Sequence, residues 1–282
     1  MIKTIAVIGA GTMGSGITLA AALTGFEVIL CDIQPKVVDA AKKSIESNLA
    51  FLVGKEKISP SESVDCFNRV QFTSTVADCK ADLVIEAIIE KPEAKEQLFL
   101  QLAGVNSSET ILATNTSSLS ISLIQQNIPE PGRVAGMHFF NPAHIMKLVE
   151  VVKGKQTTDA VTESLMNVCR QMNKTPVLCN DAPGFIVNRI ARHYYLQAME
   201  LLEHKVASIE DIDAAMEAAG FKMGPFKLMD LIGMDVNLAV STSLYEAFDR
   251  AERFAPSPIQ VNKVKQGELG RKTGNGFYNY NG

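Results

Sequence analysis

The segment from Ile5 to Asp32 constrains the fold more than any other part of the sequence. Ile5-Ala6-Val7-Ile8 is an apolar run that stops at glycine, the pattern of a short strand buried on both faces. A helix is predicted from about Thr12 to Thr24, ending at Gly25. Glu27 to Cys31 reads as a second strand, with Asp32 at its end. Two short strands joined by a crossover helix must run parallel, so a parallel sheet is predicted.

Between the first strand and its helix lies Gly9-Ala10-Gly11-Thr12-Met13-Gly14, a GxGxxG. That spacing is common in loops, but here it follows a buried strand and opens a helix, the setting in which it cradles a dinucleotide pyrophosphate. Gly9 permits the tight turn, Gly11 removes a side chain that would block the phosphates, and Gly14 lets helix and strand approach closely. Thr12 and Met13 complete the candidate cofactor set at the helix N-terminus, where unpaired N–H groups and the helix dipole favour an anion. A carboxylate at Asp32 accepts hydrogen bonds from ribose hydroxyls and repels a 2′-phosphate. Neither Ile33 nor Gln34 supplies a cation, so NAD is favoured over NADP.

A helical pattern over about 35–53 and a second helix starting at the capping box Ser59-Pro60-Ser61-Glu62 form a hairpin-like excursion. Strands are then predicted near 70–73, 82–86, 110–113, 133–140, 147–152 and 176–179. After Asp181-Ala182-Pro183-Gly184 the pattern is helical, with no convincing strand. The expected architecture is α/β: a Rossmann-type, largely parallel sheet domain over 1–184 with a helical-hairpin excursion, then an all-α domain over 185–282.

With 46% hydrophobic and 21% charged residues the chain has globular composition, which excludes a disordered one. Lysine and arginine total 27 against 31 acidic residues, without a basic block, so neither nucleic acid nor an anionic membrane is an expected partner. Thr4 to Phe26 carries no charge, yet glycines interrupt it and its continuous apolar part is strand-length, so neither a span nor a signal peptide is expected. Cys31, Cys66, Cys79, Cys169 and Cys179 are odd in number and scattered. Reduced thiols in a cytoplasmic protein, and no metal site, are expected from that pattern.

His138 lies in the strand-like Gly136-Met137-His138-Phe139-Phe140, and Glu150 in Lys147-Leu148-Val149-Glu150-Val151-Val152. A carboxylate at the centre of an apolar strand is costly unless paired. If the two strands lie side by side, Glu150 would orient the imidazole and His138 would act as general base toward a hydroxyl. A purely structural His–Glu hydrogen bond meets the same pattern. His144 falls in the intervening loop, while His193 and His204 suit surface positions on a helix. Asn115-Thr116-Ser117-Ser118 follows the carboxyl end of a strand, where parallel sheets bind ligands. One serine of this region can cap the helix starting near Ser120 while another faces the ligand. Asn188, early in the helix after Gly184, carries no weight by itself.

The segments VIGAGTMGSGI, DLVIEA, NTSSLS, GMHFFNP, MKLVEVV, DAPGFIVNRI, SIEDIDAAM, MGPF and GRKTGNGFYNY run from end to end of the chain. In them the sequence resembles the 3-hydroxyacyl-CoA dehydrogenase family, and within it the short bacterial 3-hydroxybutyryl-CoA dehydrogenases. The resemblance implies NAD-dependent interconversion of a short-chain (S)-3-hydroxyacyl-CoA and its 3-ketoacyl-CoA. It implies His138 as catalytic base, Glu150 as its partner, and Ser117 and Asn188 as donors to the substrate's 3-oxygen. Glu90, Lys95, Asn115, Ser117, Asn141 and Lys272 match family positions near NAD.

The excursion helices would lie over CoA, with Lys55 for its phosphates. Asn48, beside Ser47, is the nearest match to an acyl-CoA-facing serine. The sequence departs from the family pattern at His144, where proline is usual, and at Gln197, where an acid is usual. The resemblance further implies a C-terminal domain that closes over substrate and forms a homodimer. Phe185, Ile186, Tyr194, Tyr195, Leu196, Met199, Leu228, Leu231 and Leu238 give that domain more apolar positions than it could bury alone.

Three other readings share parts of this pattern. A 3-hydroxyacid dehydrogenase of the 3-hydroxyisobutyrate type also combines GxGxMG with a helical second domain, but relies on lysine and would not require His138 and Glu150. A sugar-acid dehydrogenase uses the same scaffold without CoA. A non-catalytic NAD-binding protein would keep the glycine turn alone.

Overall fold

In the computed structural model, which describes residues 2–281, the first apolar run and its glycine turn become β1 (Thr4–Ile8) and α1 (Thr12–Ala22). They are followed by β2 (Glu27–Cys31) and by the helical excursion, α2 (Pro35–Gly54) and α3 (Pro60–Asn68). The capping box forms as its sequence predicts. The Glu62 amide donates to Ser59 Oγ at 3.1 Å, and the Ser59 amide to Glu62 Oε2 at 2.7 Å.

The sheet resumes with β3 (Val70–Thr73) and β4 (Leu83–Glu86), then α4 (Pro92–Val105), β5 (Ile111–Thr114) and the short α5 (Ile121–Ile124). It ends with β6 (Val134–Phe139), β7 (Leu148–Lys153), α6 (Asp159–Gln171) and β8 (Thr175–Asn180).

The eight strands make one sheet in the order β3-β2-β1-β4-β5-β6-β7-β8. Six run parallel. The short loop after β6 cannot return the chain to a parallel start, so β7 pairs antiparallel with β6, and β8 runs parallel to β7. Strand order reverses between β1 and β4, so the loops leaving their carboxyl ends diverge and open a crevice. The central strands are apolar on both faces because helices cover both: Ile5, Val7, Leu30, Leu83 and Ile85 are essentially inaccessible.

The described chain divides into two units, Met1–Ala182 and Pro183–Gly282. The second is helical, with α7 (Val187–Glu203), α8 (Ile209–Ala218), α9 (Pro225–Ile232), α10 (Met234–Ala247) and α11 (Pro258–Gln266). Its core gathers Tyr195, Met199, Ile212, Phe226, Met229 and Met234. Two buried carboxylates organise the rest. Asp213 accepts from the amides of Phe226 and Lys227 at the start of α9, at 2.9 and 3.0 Å. Asp230 accepts from the amides of Phe277 and Tyr278, each at 2.9 Å, and so fixes the C-terminal segment. Among the described residues no helix is long and apolar enough to cross a membrane.

Candidate active site

At the glycine turn each glycine serves a different steric need. Gly9 has φ of +100°, and a Cβ there would lie 2.5 Å from the Ala87 carbonyl oxygen. At Gly14 a Cβ would lie 1.7 Å from the Gly9 carbonyl oxygen, so only glycine lets α1 sit this close to the turn. A Cβ at Gly11 would meet no atom within 4 Å, and Gly11 opens on a cavity of about 530 Å³. Thr12, Ser15, Lys36, Asn48, Asn141 and His144 also line that cavity. Thr12 is exposed at the start of α1, whereas Met13 is half-buried against the core.

Asp32 Oδ2 accepts from the Ala10 amide at 3.0 Å and Oδ1 from the Gln34 amide at 2.9 Å, so its carboxylate is held beside the turn. An open phosphate cradle at Gly11, a helix N-terminus and a fixed carboxylate together fit a dinucleotide.

The β6–β7 register sets His138 directly opposite Glu150, and Nδ1 lies 2.7 Å from Oε2. His138 is 6% exposed and Glu150 1%. A carboxylate at Nδ1 favours the tautomer with its proton there, which makes Nε2 the basic nitrogen. The Phe140 ring packs 4.5 Å from the imidazole. Asn141 and Pro142 follow in the loop, joined by a cis peptide bond.

Lys174, just before β8, reaches under this loop and donates to the carbonyls of Ala143 at 2.6 Å and Met146 at 2.9 Å. Burial, and secondarily the Lys147 charge, bring the Lys174 ammonium down to about 8. Burial together with Lys174 also lowers His144.

Asn115, Thr116 and Ser117 leave the carboxyl end of β5 and are tied down on two sides. On one side Asn115 Oδ1 accepts from the Phe139 amide at 2.8 Å, next to His138. On the other, Glu90 Oε1 accepts from Thr116 Oγ1, the Ser117 amide at 3.0 Å and Ser118 Oγ at 3.3 Å. Burial alone would raise the Glu90 carboxyl, but Lys95, Thr116 and the Ser117 amide outweigh it and hold it below the usual range. Lys95 is 1% exposed and bridges Glu90 Oε2 at 3.1 Å to Glu86 Oε1 at 2.6 Å. Ser120, and not Ser117 or Ser118, caps the following helix, accepting from the Leu123 amide at 3.3 Å.

The first unit thus brings together the glycine turn, Asp32, Asn115, Ser117, Asn141, His138 and Glu150 on the loops and strands at one end of the sheet. Asn48 lines the cavity and donates to the Ser44 carbonyl at 2.8 Å. Lys55 stands exposed just past α2, outside that lining, with its ammonium 5.7 Å from the centre of the Phe51 ring. Asn188 and Lys272 belong to the second unit, Asn188 in the first turn of α7 and Lys272 paired with Asp235.

Two residues escape a reading of the sequence alone. Glu86 ends an apolar strand just as Glu150 interrupts one, so the cost of burying its carboxylate is the available signal. Lys174 sits in a polar turn, and nothing local marks it as buried.

Comparison with known proteins shows the family. Residues 4–182 match a family model described as the 3-hydroxyacyl-CoA dehydrogenase NAD binding domain, and residues 184–280 match the C-terminal domain of the same family. The 3-hydroxyadipyl-CoA dehydrogenase of Escherichia coli is 47% identical over 99% of the chain, which spans 59% of that relative's length. The mitochondrial hydroxyacyl-coenzyme A dehydrogenase of Rattus norvegicus is 42% identical, over 99% of the chain and 92% of the relative. A crystal structure of (S)-3-hydroxybutyryl-CoA dehydrogenase from Ralstonia eutropha superposes with a TM-score of 0.95, at 36% identity and with full coverage of both chains.

Proposed function

The chain belongs to the 3-hydroxyacyl-CoA dehydrogenase family, and on that footing we propose that it interconverts a short-chain (S)-3-hydroxyacyl-CoA and its 3-ketoacyl-CoA with NAD. The observation that carries this reading is the His138–Glu150 pair, 2.7 Å apart on adjoining strands. A carboxylate on Nδ1 leaves Nε2 as the nitrogen that takes the proton from the 3-hydroxyl. Glu150 holds the ring in that orientation and stabilises the imidazolium that forms. In the reverse direction the imidazolium returns the proton to the 3-oxygen. NAD, when bound, supplies the hydride acceptor.

Ser117 donates a hydrogen bond to the 3-oxygen, where negative charge develops. The same role is assigned to Asn188 by family resemblance. Gly9, Gly11, Gly14 and the α1 N-terminus take the pyrophosphate, Asp32 the ribose hydroxyls, and the other cofactor positions those the resemblance gives them. Lys36 supplies the cavity with a cation and no acidic group is among its described lining residues, which supports an anionic ligand there.

The proposed substrate is 3-hydroxybutyryl-CoA, and the proposed working form is a cytoplasmic homodimer. The test is NADH absorbance on adding acetoacetyl-CoA. Rapid loss supports the reading, and an unchanged signal would leave only an NAD-binding protein. Activity that survives His138→Gln would point instead to a lysine-based hydroxyacid dehydrogenase.

A further inference from the structure

We propose that Glu86, acting through Lys95, is a positioning residue that sets the loop carrying Ser117 relative to the strand carrying His138. The inference rests on the reading of Ser117 given above. Glu86 is fully buried at the carboxyl end of β4, and every oxygen it has is engaged. Oε1 accepts from Lys95 Nζ at 2.6 Å and from the Ile88 amide at 2.7 Å. Oε2 accepts from Thr114 Oγ1 at 2.7 Å, and the backbone oxygen accepts from the Asn115 amide at 2.7 Å.

The loop is therefore reached from Glu86 by three routes. Thr114 Oγ1, while donating to Glu86, accepts from the Thr116 amide at 3.2 Å. Asn115 is held at its backbone by Glu86 and spans by its side chain to Phe139, beside His138. Lys95 carries the connection to Glu90, whose other oxygen gathers Thr116, Ser117 and Ser118.

Stability alone gives no reason for such a group. A buried ion pair is often no more stabilising than apolar residues of the same volume. Glu86 is 0% exposed, which sets it behind the ligand-facing surface and not on it.

The test is a double-mutant cycle between Glu86→Gln and Ser117→Ala, read as kcat with acetoacetyl-CoA, the NADH dissociation constant, and amide exchange over residues 115–119. Misplacing a reacting group by about 1 Å can cost on the order of 10²-fold, so Glu86→Gln alone should lower kcat by roughly 10- to 100-fold. NADH affinity should fall by a smaller factor than kcat, because the glycine turn and Asp32 are untouched although Lys95 and Glu90 lose a neighbour. In the Ser117→Ala background the further loss should fall to about twofold or less. Exchange over 115–119 should quicken while the α1 segment stays protected.

Thr114→Val is the gentler variant, removing one link and leaving the ion pair intact, and its cycle with Ser117→Ala decides the question if Glu86→Gln does not fold. Equal losses in both backgrounds would overturn the proposal, as would lost NADH affinity at unchanged kcat. A wild-type protein inactive toward acetoacetyl-CoA would sink the functional reading instead. The exchange measurement would still decide the brace, and unchanged exchange at 115–119 would end it.

Discussion

At the scale of single residues, burial decides which titratable groups do chemistry and which hold structure. His138 and Glu150 are buried together at 2.7 Å, so neither can be altered without stranding the other. Replacing His138 with Gln should lower turnover on the order of 10²–10⁴-fold, the range for a general acid–base. Glu150→Gln should lower turnover more than it weakens NADH binding. The double variant should be little worse than His138→Gln, since the two act as a unit. Additive losses in kcat would show two independent residues.

Lys174 makes a different prediction. Its ammonium is brought from 10.5 to about 8 by burial, so folding disfavours the charged form. Between those values the unfolded chain binds more protons than the folded one, and stability attributable to this residue must rise with pH across that window. Urea midpoints of wild type and Lys174→Met at pH 7.5 and 9.5 check it, with the difference expected to shift in favour of wild type at the higher pH. A constant difference would mean that the charge is not suppressed.

At the scale of elements, the glycine turn shows how local sterics fix a binding surface. Gly14 stands where any Cβ would overlap backbone, 1.7 Å from the Gly9 carbonyl oxygen. No side-chain rotation relieves a clash of that kind, so α1 must move away from β1. Gly14→Ala should therefore weaken NADH binding by at least about tenfold, the scale of losing roughly 1.4 kcal/mol of contacts. Fluorescence titration with NADH measures it, and unchanged affinity would contradict the helix–strand approach. The β6–β7 hairpin is the complementary case. Its antiparallel register creates the dyad, and a slip of one residue would send Glu150 to the opposite face of the sheet from His138.

At the scale of the whole molecule, the second unit divides the apolar residues that its sequence supplies. Tyr195 and Met199 enter its core, while Leu231 is 49% exposed and is joined at the surface by Ile190, Phe221, Ile232 and Val236. The proposed homodimer would cover side chains of this kind. Sedimentation of the wild type should give a dimer at micromolar concentration, and Leu231→Asp with Ile232→Asp should shift it toward monomer. A wild-type protein already monomeric under those conditions would refute the assembly.

The sequence by itself determines the features that are local. Strand, glycine turn, helix and Asp32 follow from periodicity and sterics within some thirty residues. The capping box at Ser59 and the change to helices after Gly184 are legible for the same reason. His138 and Glu150 stand out because apolar strands tolerate such groups only in pairs, but their pairing hangs on which strands become neighbours. Only the tertiary structure decides that, by folding β7 back against β6. It also decides that Ser120 is the cap, that Lys55 stays outside the cavity, and that Glu86, Lys95 and Glu90 converge behind Ser117. Those groups lie on separate elements. Their relation is fixed by sheet order and register, which no short stretch of chain encodes.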